Sequence, residues 1–263
     1  MRFVKANGLV IHYLIEGPEG LPPLVFINPL GCDLRVWSEV ASILKPDFRV
    51  LCYDKRGHGL SESGPDRAEM ADFARDLAAL LDVLGIGGAA IVGMSIGGMI
   101  AQELYRERPE LVAALVLCDT AAKIGTDESW DERIAAVECG GIESIADAVL
   151  ERWFTPAFRR ERAAEFAGVR AMLTRTPGQG YLAACGALKR ADLRPYAAAI
   201  QAPTLCLVGD HDGSTPVELV RQTAAQINGA RFEIIEGAGH LPNVEKPAAL
   251  ARLIAEHVAR AAA

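Results

Sequence analysis

The chain has 263 residues, of which 51% are hydrophobic and 23% charged, and it carries a formal net charge of −7. That length suffices to bury a full core and argues for one domain with an insertion, while the acidic balance counts against a nucleic-acid surface. No run approaches the roughly 18 apolar residues of a membrane span, and the opening Met1-Arg2-Phe3-Val4-Lys5-Ala6 has no apolar stretch of a signal peptide. The six cysteines never form C-x-x-C and the five histidines never cluster. Reduced thiols, a cytoplasmic location and no metal are therefore expected.

In chain order, residues 2–4 and 10–14 read as an antiparallel edge hairpin turning at Asn7-Gly8. Residues 24–28, 50–54, 89–92, 115–119, 204–208 and 231–235 are short apolar runs that read as buried parallel strands. Between the second and third of these, Met70, Phe73, Leu77, Leu80 and Leu84 keep an apolar stripe at helical spacing. The alternation breaks over 121–200. That stretch offers helix-like pieces around Trp130, Ile134 and Val137, then at 142–153 and 159–173, and after a Pro177-Gly178-Gln179-Gly180 turn at 181–190. Residues 1–120 and 201–263 thus read as an α/β core, and 121–200 as a helical cap shaping a pocket and excluding water.

Three features carry chemistry. Gly93-Met94-Ser95-Ile96-Gly97 lies where the run 89–92 gives way to the helix-forming 98–104, with small residues where strand and helix must approach. G-x-S-x-G in that context is similar to the nucleophile elbow of the α/β-hydrolases. Past the run 204–208 come Asp210 and Asp212, and past 231–235 comes His240, so a carboxylate and a histidine follow the serine in the order of that family's triad. Loops at the carboxyl ends of parallel strands open onto one crevice, where the three can converge. An alcohol needs an adjacent base, and histidine has a suitable pKa; the base needs a carboxylate to fix its tautomer. Asp210 and Asp212 both qualify by position. The resemblance favours Asp212, four residues before Pro216, and leaves Asp210 to shape the turn. His240 is preferred to His211, which lies inside the acid loop.

The resemblance also implies an oxyanion hole made of the backbone N–H groups of Ile96 and Leu30. Many relatives carry His-Gly where this chain has Asn28-Pro29; Pro29 has no N–H, whereas Leu30 does. Asp54 to Ser61 follow the family's D-x-R-G-x-G-x-S pattern, read as structural, so His58 is not expected in catalysis. Within the superfamily, the stretches 117–125, 145–155, 180–181 and 191–195 resemble the 3-oxoadipate enol-lactonases. The expected fold is then an α/β-hydrolase, a mostly parallel sheet with helices on both faces and a helical cap insertion. The expected activity is hydrolysis of a small carboxylated enol lactone to 3-oxoadipate through an acyl-enzyme, in aromatic-acid breakdown, with no cofactor. The partner is a small anionic lactone, not nucleic acid or membrane. Its carboxylate calls for a cation, and Arg133 beside Trp130 and Arg152 beside Trp153 are the candidates. Other readings on the same scaffold are a general carboxylesterase, a carbon–carbon bond hydrolase, a cofactor-free haloperoxidase-like enzyme, or a non-catalytic ligand receptor.

Overall fold

A computed structural model describes residues 1–262. Its strands are β1 (Arg2–Ala6), β2 (Leu9–Glu16), β3 (Pro23–Ile27), β4 (Arg49–Tyr53), β5 (Ala89–Met94), β6 (Val112–Cys118), β7 (Thr204–Gly209) and β8 (Arg231–Ile235). Between and after them lie α1 (Ser38–Leu44), α2 (Met70–Leu84), α3 (Ile96–Glu107), α4 (Asp127–Gly140), α5 (Glu143–Trp153) and α6 (Pro156–Glu161). The chain continues through α7 (Ala163–Thr174), α8 (Gly178–Arg190), α9 (Arg194–Ala197), α10 (Val217–Gln226), α11 (Pro242–Glu245) and α12 (Pro247–Ala261).

The strands form one sheet in the order β1-β2-β4-β3-β5-β6-β7-β8, antiparallel only where β2 meets β1 and β4. The β1–β2 hairpin turns at Asn7 and Gly8 as expected, both with positive φ (47° and 81°), which suits the twist of a two-residue hairpin turn. The step from β3 to β4 runs one way along the sheet and the step from β4 to β5 runs back. Right-handed crossovers then place α1 on the face opposite α2 and α3. The contacts agree, since α2 packs on α3 and α1 packs on α12. The reversal lies between β3 and β5, so the loops leaving those two strands border the crevice in which open α/β sheets bind ligands.

Local sequence explains the elements. In α2, Met70, Phe73, Leu77 and Leu80 are buried, and a Glu69–Asp72 capping box opens the helix. Gly85, at φ 64°, closes it in the left-handed conformation that glycine tolerates best. Burying each such leucine contributes about 1.5–3 kcal/mol before entropy is counted.

Four expectations need correction. Residues 159–173 do not form one helix: Arg162 leaves helical geometry (φ −119°, ψ 49°), separating α6 from α7. The break allows Phe158 to stack on Phe154 (centroids 4.7 Å) while Phe166 meets the same ring edge-on (5.8 Å). The residues 177–180 are not a turn; Pro177 caps α8, whose first turn contains Gly178 to Gly180. The strand 231–235 is not buried, because β8 is an edge with Ile234 exposed. Finally β6 starts at Val112 rather than Leu115, pairing there with Ala89.

The motif loop from Asp54 to Ser61 fastens the fold. Asp54 accepts from His12 Nδ1 (2.8 Å), Leu34 N (2.7 Å) and Leu60 N (2.9 Å), and Arg56 grips buried Asp76. Its Gly57 touches Gly180 of α8 so closely that a Cβ on Gly180 would sit 2.2 Å from the Gly57 carbonyl oxygen. Gly180→Ala is accordingly expected to lower the melting temperature by the equivalent of about 1–3 kcal/mol, the usual cost of overpacking. An unchanged thermal melt would mean that the two backbones can part freely.

Candidate active site

Ser95 follows β5 and opens α3 with φ 55° and ψ −121°, a conformation that costs an L-residue about 1–3 kcal/mol. Its surroundings hold it there: Ser95 N donates to Cys118 O (3.0 Å) and Thr120 Oγ1 donates to Ser95 O (2.6 Å). Both flanking glycines are required by space. A Cβ on Gly93 would lie 2.2 Å from Gly97 O, and one on Gly97 would lie 2.3 Å from Ile27 O of β3. The second crowding comes from the neighbouring strand, not from β5 itself.

Past β7, Asp212 is buried. Its Oδ2 accepts from Thr215 Oγ1 (2.5 Å) and meets His240 Nδ1 at 2.9 Å, while Oδ1 accepts from Ser214 N (2.7 Å) and Thr215 N (3.0 Å). Burial alone would raise its pKa, but His240 and the Thr215 donors outweigh it and hold the carboxylate below the usual range. Asp210, by contrast, is exposed and accepts from Ala238 N (3.2 Å), which shapes the approach to the histidine. His211 is also exposed. His240 is buried with its ring beside Trp153 (centroids 6.2 Å).

The last residues of α5 tie these loops together. Trp153 O accepts from His240 N (2.9 Å), and Arg152 O accepts from Gly213 N (3.2 Å). Ser95, His240, Leu30, Trp130, Arg133, Arg152 and Trp153 then line one cavity of about 450 Å³. Trp130 Nε1 donates to Ile124 O (2.7 Å) and its ring carries the Arg133 guanidinium at 5.0 Å. Neither Arg133 nor Arg152 has a carboxylate partner among the described residues, although exposed Glu132 lines the same cavity. Burial and then the Arg133 charge lower the pKa of Arg152.

Ile96, first residue of α3, has an N–H with no intrahelical acceptor. Leu30 lies in the loop after β3, where Pro29 O accepts from Cys32 N (3.2 Å) and Gly31 N donates to His58 Nε2 (3.1 Å). Burial, then the nearby Lys55 charge, drives the His58 pKa well below its ordinary value, so this histidine is a neutral buttress.

Sequence reasoning missed Asp119, Thr215 and Tyr181. Asp119, just past β6 at φ 47°, accepts from Gly209 N (2.9 Å) and leaves Oδ2 unpartnered. Its carboxyl shares a 4.8 Å cluster with Asp212 and His240, the one group of three or more possible metal ligands among the described residues. Within it, His240 Nδ1 and Asp212 Oδ2 are hydrogen-bonded to each other at 2.9 Å. Burial, then the charge of Asp212, raises the Asp119 pKa well above the carboxylate range. Thr215 was within reach of the sequence, because Asp-Gly-Ser-Thr is an Asx-turn run. Tyr181, fully buried with its hydroxyl beside both cavity arginines, belongs to the 180–181 stretch that carries the resemblance, but nothing in the sequence placed it at the site.

The α/β hydrolase fold family matches residues 22–247 of the chain. The chain is 34% identical over 241 residues to 3-oxoadipate enol-lactonase 1 of Acinetobacter baylyi, covering 92% of this chain and 90% of that protein. It is similar in structure to the enol-lactonase from Burkholderia xenovorans, with a TM-score of 0.95, 34% identity, and coverage of 98% of this chain and 100% of that one. A thermophilic esterase from Thermogutta terrifontis, solved with malate bound, superposes with a TM-score of 0.93 at 29% identity over 99% of both chains. No helix among the described residues is long and apolar enough to cross a membrane.

Proposed function

The chain belongs to the α/β-hydrolase fold family, and from that premise we propose that it hydrolyses a small carboxylated enol lactone, 3-oxoadipate enol-lactone being the substrate that fits best. The observation that carries this reading is the pair of arginines without carboxylate partners, Arg133 and Arg152, lining the same cavity as Ser95 and His240. Arg152 is exposed and Arg133 half-buried against Trp130, so both guanidiniums stay hydrated in the open cavity and are free to give a substrate carboxylate charge-assisted hydrogen bonds. The aromatic walls Trp130 and Trp153 suit a flat ring, and the relatives named as enol-lactonases support the choice.

In this mechanism His240 takes the Ser95 proton as Oγ attacks the lactone carbonyl, and Asp212 holds the imidazole in the right tautomer. The N–H groups of Ile96 and Leu30 hold the oxyanion. Ring opening expels an enolate, a better leaving group than an alkoxide, and its ketonisation draws the reaction forward. His240 then activates water to release the acyl group as a dicarboxylate. No step calls for a cofactor. The helices of residues 121–200 act as a cap that shapes the pocket and excludes water, and the protein works in the cytoplasm in the breakdown of aromatic acids.

The test compares the enol lactone with neutral p-nitrophenyl esters. A marked preference for the acidic lactone supports the reading; equal efficiency on both would make the protein a general carboxylesterase, and tight binding without turnover a receptor. Arg152→Ala and Arg133→Ala are each expected to raise KM for the acidic lactone with kcat little changed, because the contact is present in ground and transition states alike. A charge-assisted contact contributes about 1.5–3 kcal/mol. Solvent screening at the accessible Arg152 brings the expectation to the lower end, roughly tenfold in KM. Equal losses on charged and neutral substrates would show that the arginines only hold the helices together.

A further inference from the structure

We propose that Lys55 is a positioning residue of the oxyanion hole, aiming and polarising the Leu30 N–H from behind by donating to the Pro29 carbonyl. The inference rests on the oxyanion reading above. Pro29 C=O and Leu30 N–H belong to one planar amide and point in opposite directions across it. A donor fixed on the oxygen therefore sets the direction of the N–H, and draws electron density from it, which makes it a stronger donor.

Lys55 is built for that contact. It is 1% exposed, and its Nζ lies 2.7 Å from Pro29 O and 3.5 Å from Cys32 O. No carboxylate within ion-pair distance offsets its burial among the described residues, although Asp54, Asp33, Cys32 and His58 surround it. Burying an ammonium without an ion pair is expensive, and here it pushes the Lys55 pKa down to about 7. An apolar side chain would fill the same space at less cost, so the amine must be needed by what it touches, which is the loop carrying Leu30. The other fastenings of that loop act elsewhere: His58 receives Gly31 N, Thr176 Oγ1 donates to Gly31 O (3.2 Å), and Asn28 Nδ2 donates to Cys32 O. Only the Cys32 N–H shares the Pro29 oxygen with Lys55, from within the loop's own turn.

Lys55→Met fills the space without a donor, and Lys55→Gln keeps a neutral donor. With thermal melts confirming that both fold, Lys55→Met is expected to lower kcat on the enol lactone about ten- to thirtyfold, with KM unchanged. Affinity for phenylboronic acid, which forms an anionic tetrahedral adduct on the serine, should fall by the same factor, and Lys55→Gln should recover part of both. If Lys55→Met does not fold, the glutamine variant carries the test, with a smaller loss in kcat and boronate affinity at constant KM. A third protein, with the Leu30 amide replaced by an ester, removes the donor itself. Once that ester is in place, Lys55→Met should cost nothing further. A loss of kcat in the ester but none in either Lys55 variant overturns the role of Lys55 and leaves the oxyanion reading standing; an ester with full kcat overturns that reading and this inference together.

Discussion

Replacing Ser95 with alanine is expected to reduce kcat on the enol lactone by about 10⁶, the scale seen when a serine hydrolase loses its nucleophile. What survives would come from the oxyanion hole and substrate binding alone, which still accelerate the reaction over water. The fold should not suffer. Ser95 holds its strained backbone through its own N–H to Cys118 and its carbonyl to Thr120, and neither contact involves the hydroxyl. Steady-state kinetics beside a thermal melt give the answer, and an alanine variant keeping more than about one per cent of the original kcat would mean that bond cleavage takes another route.

Asp212→Asn is expected to cost roughly 10⁴ in kcat, because an amide in place of the carboxylate stabilises the wrong imidazole tautomer. The contacts of Asp212 make the effect specific: two backbone N–H groups and Thr215 fix its oxygens, and one of those oxygens meets His240 Nδ1 at 2.9 Å. Asp210→Asn should change kcat by far less, since Asp210 is exposed and supports a turn through Ala238. Purified variants assayed on one substrate decide the ranking. The reverse order would hand the acid's role to Asp210.

The parts of the site that sequence could read are those whose signal is local. Ser95 stands in a five-residue pattern whose spacing follows from close approach, and the space denied to a Cβ at Gly93 and Gly97 is the physical content of that pattern. The helix α2 was legible from its apolar stripe, and the capping box and terminal glycine found at its ends agree with that stripe. Asp210 and Asp212 were not separable by position. What separates them is burial and the direction of each carboxylate, which the surrounding loops decide. Lys55 and Asp119 gave no warning because their roles arise from partners far along the chain, such as Pro29 for one and Gly209 for the other. The break at Arg162 was equally silent, since aromatic packing across α6 and α7 overrode a continuous helical pattern.

Arg152 and Trp153 end α5 with side chains in the cavity and carbonyls bonded to the loops that carry Asp212 and His240. Selectivity and reactivity in this protein are therefore not separable cassettes. Grafting the helical region of a relative onto this sheet would also replace the two carbonyls bonded to the loops that carry Asp212 and His240. A chimera would need its junction placed beyond Trp153, or a donor whose helix ends at the same height above the strands. Natural divergence faces the same rule: the end of α5 can change its side chains but not its backbone.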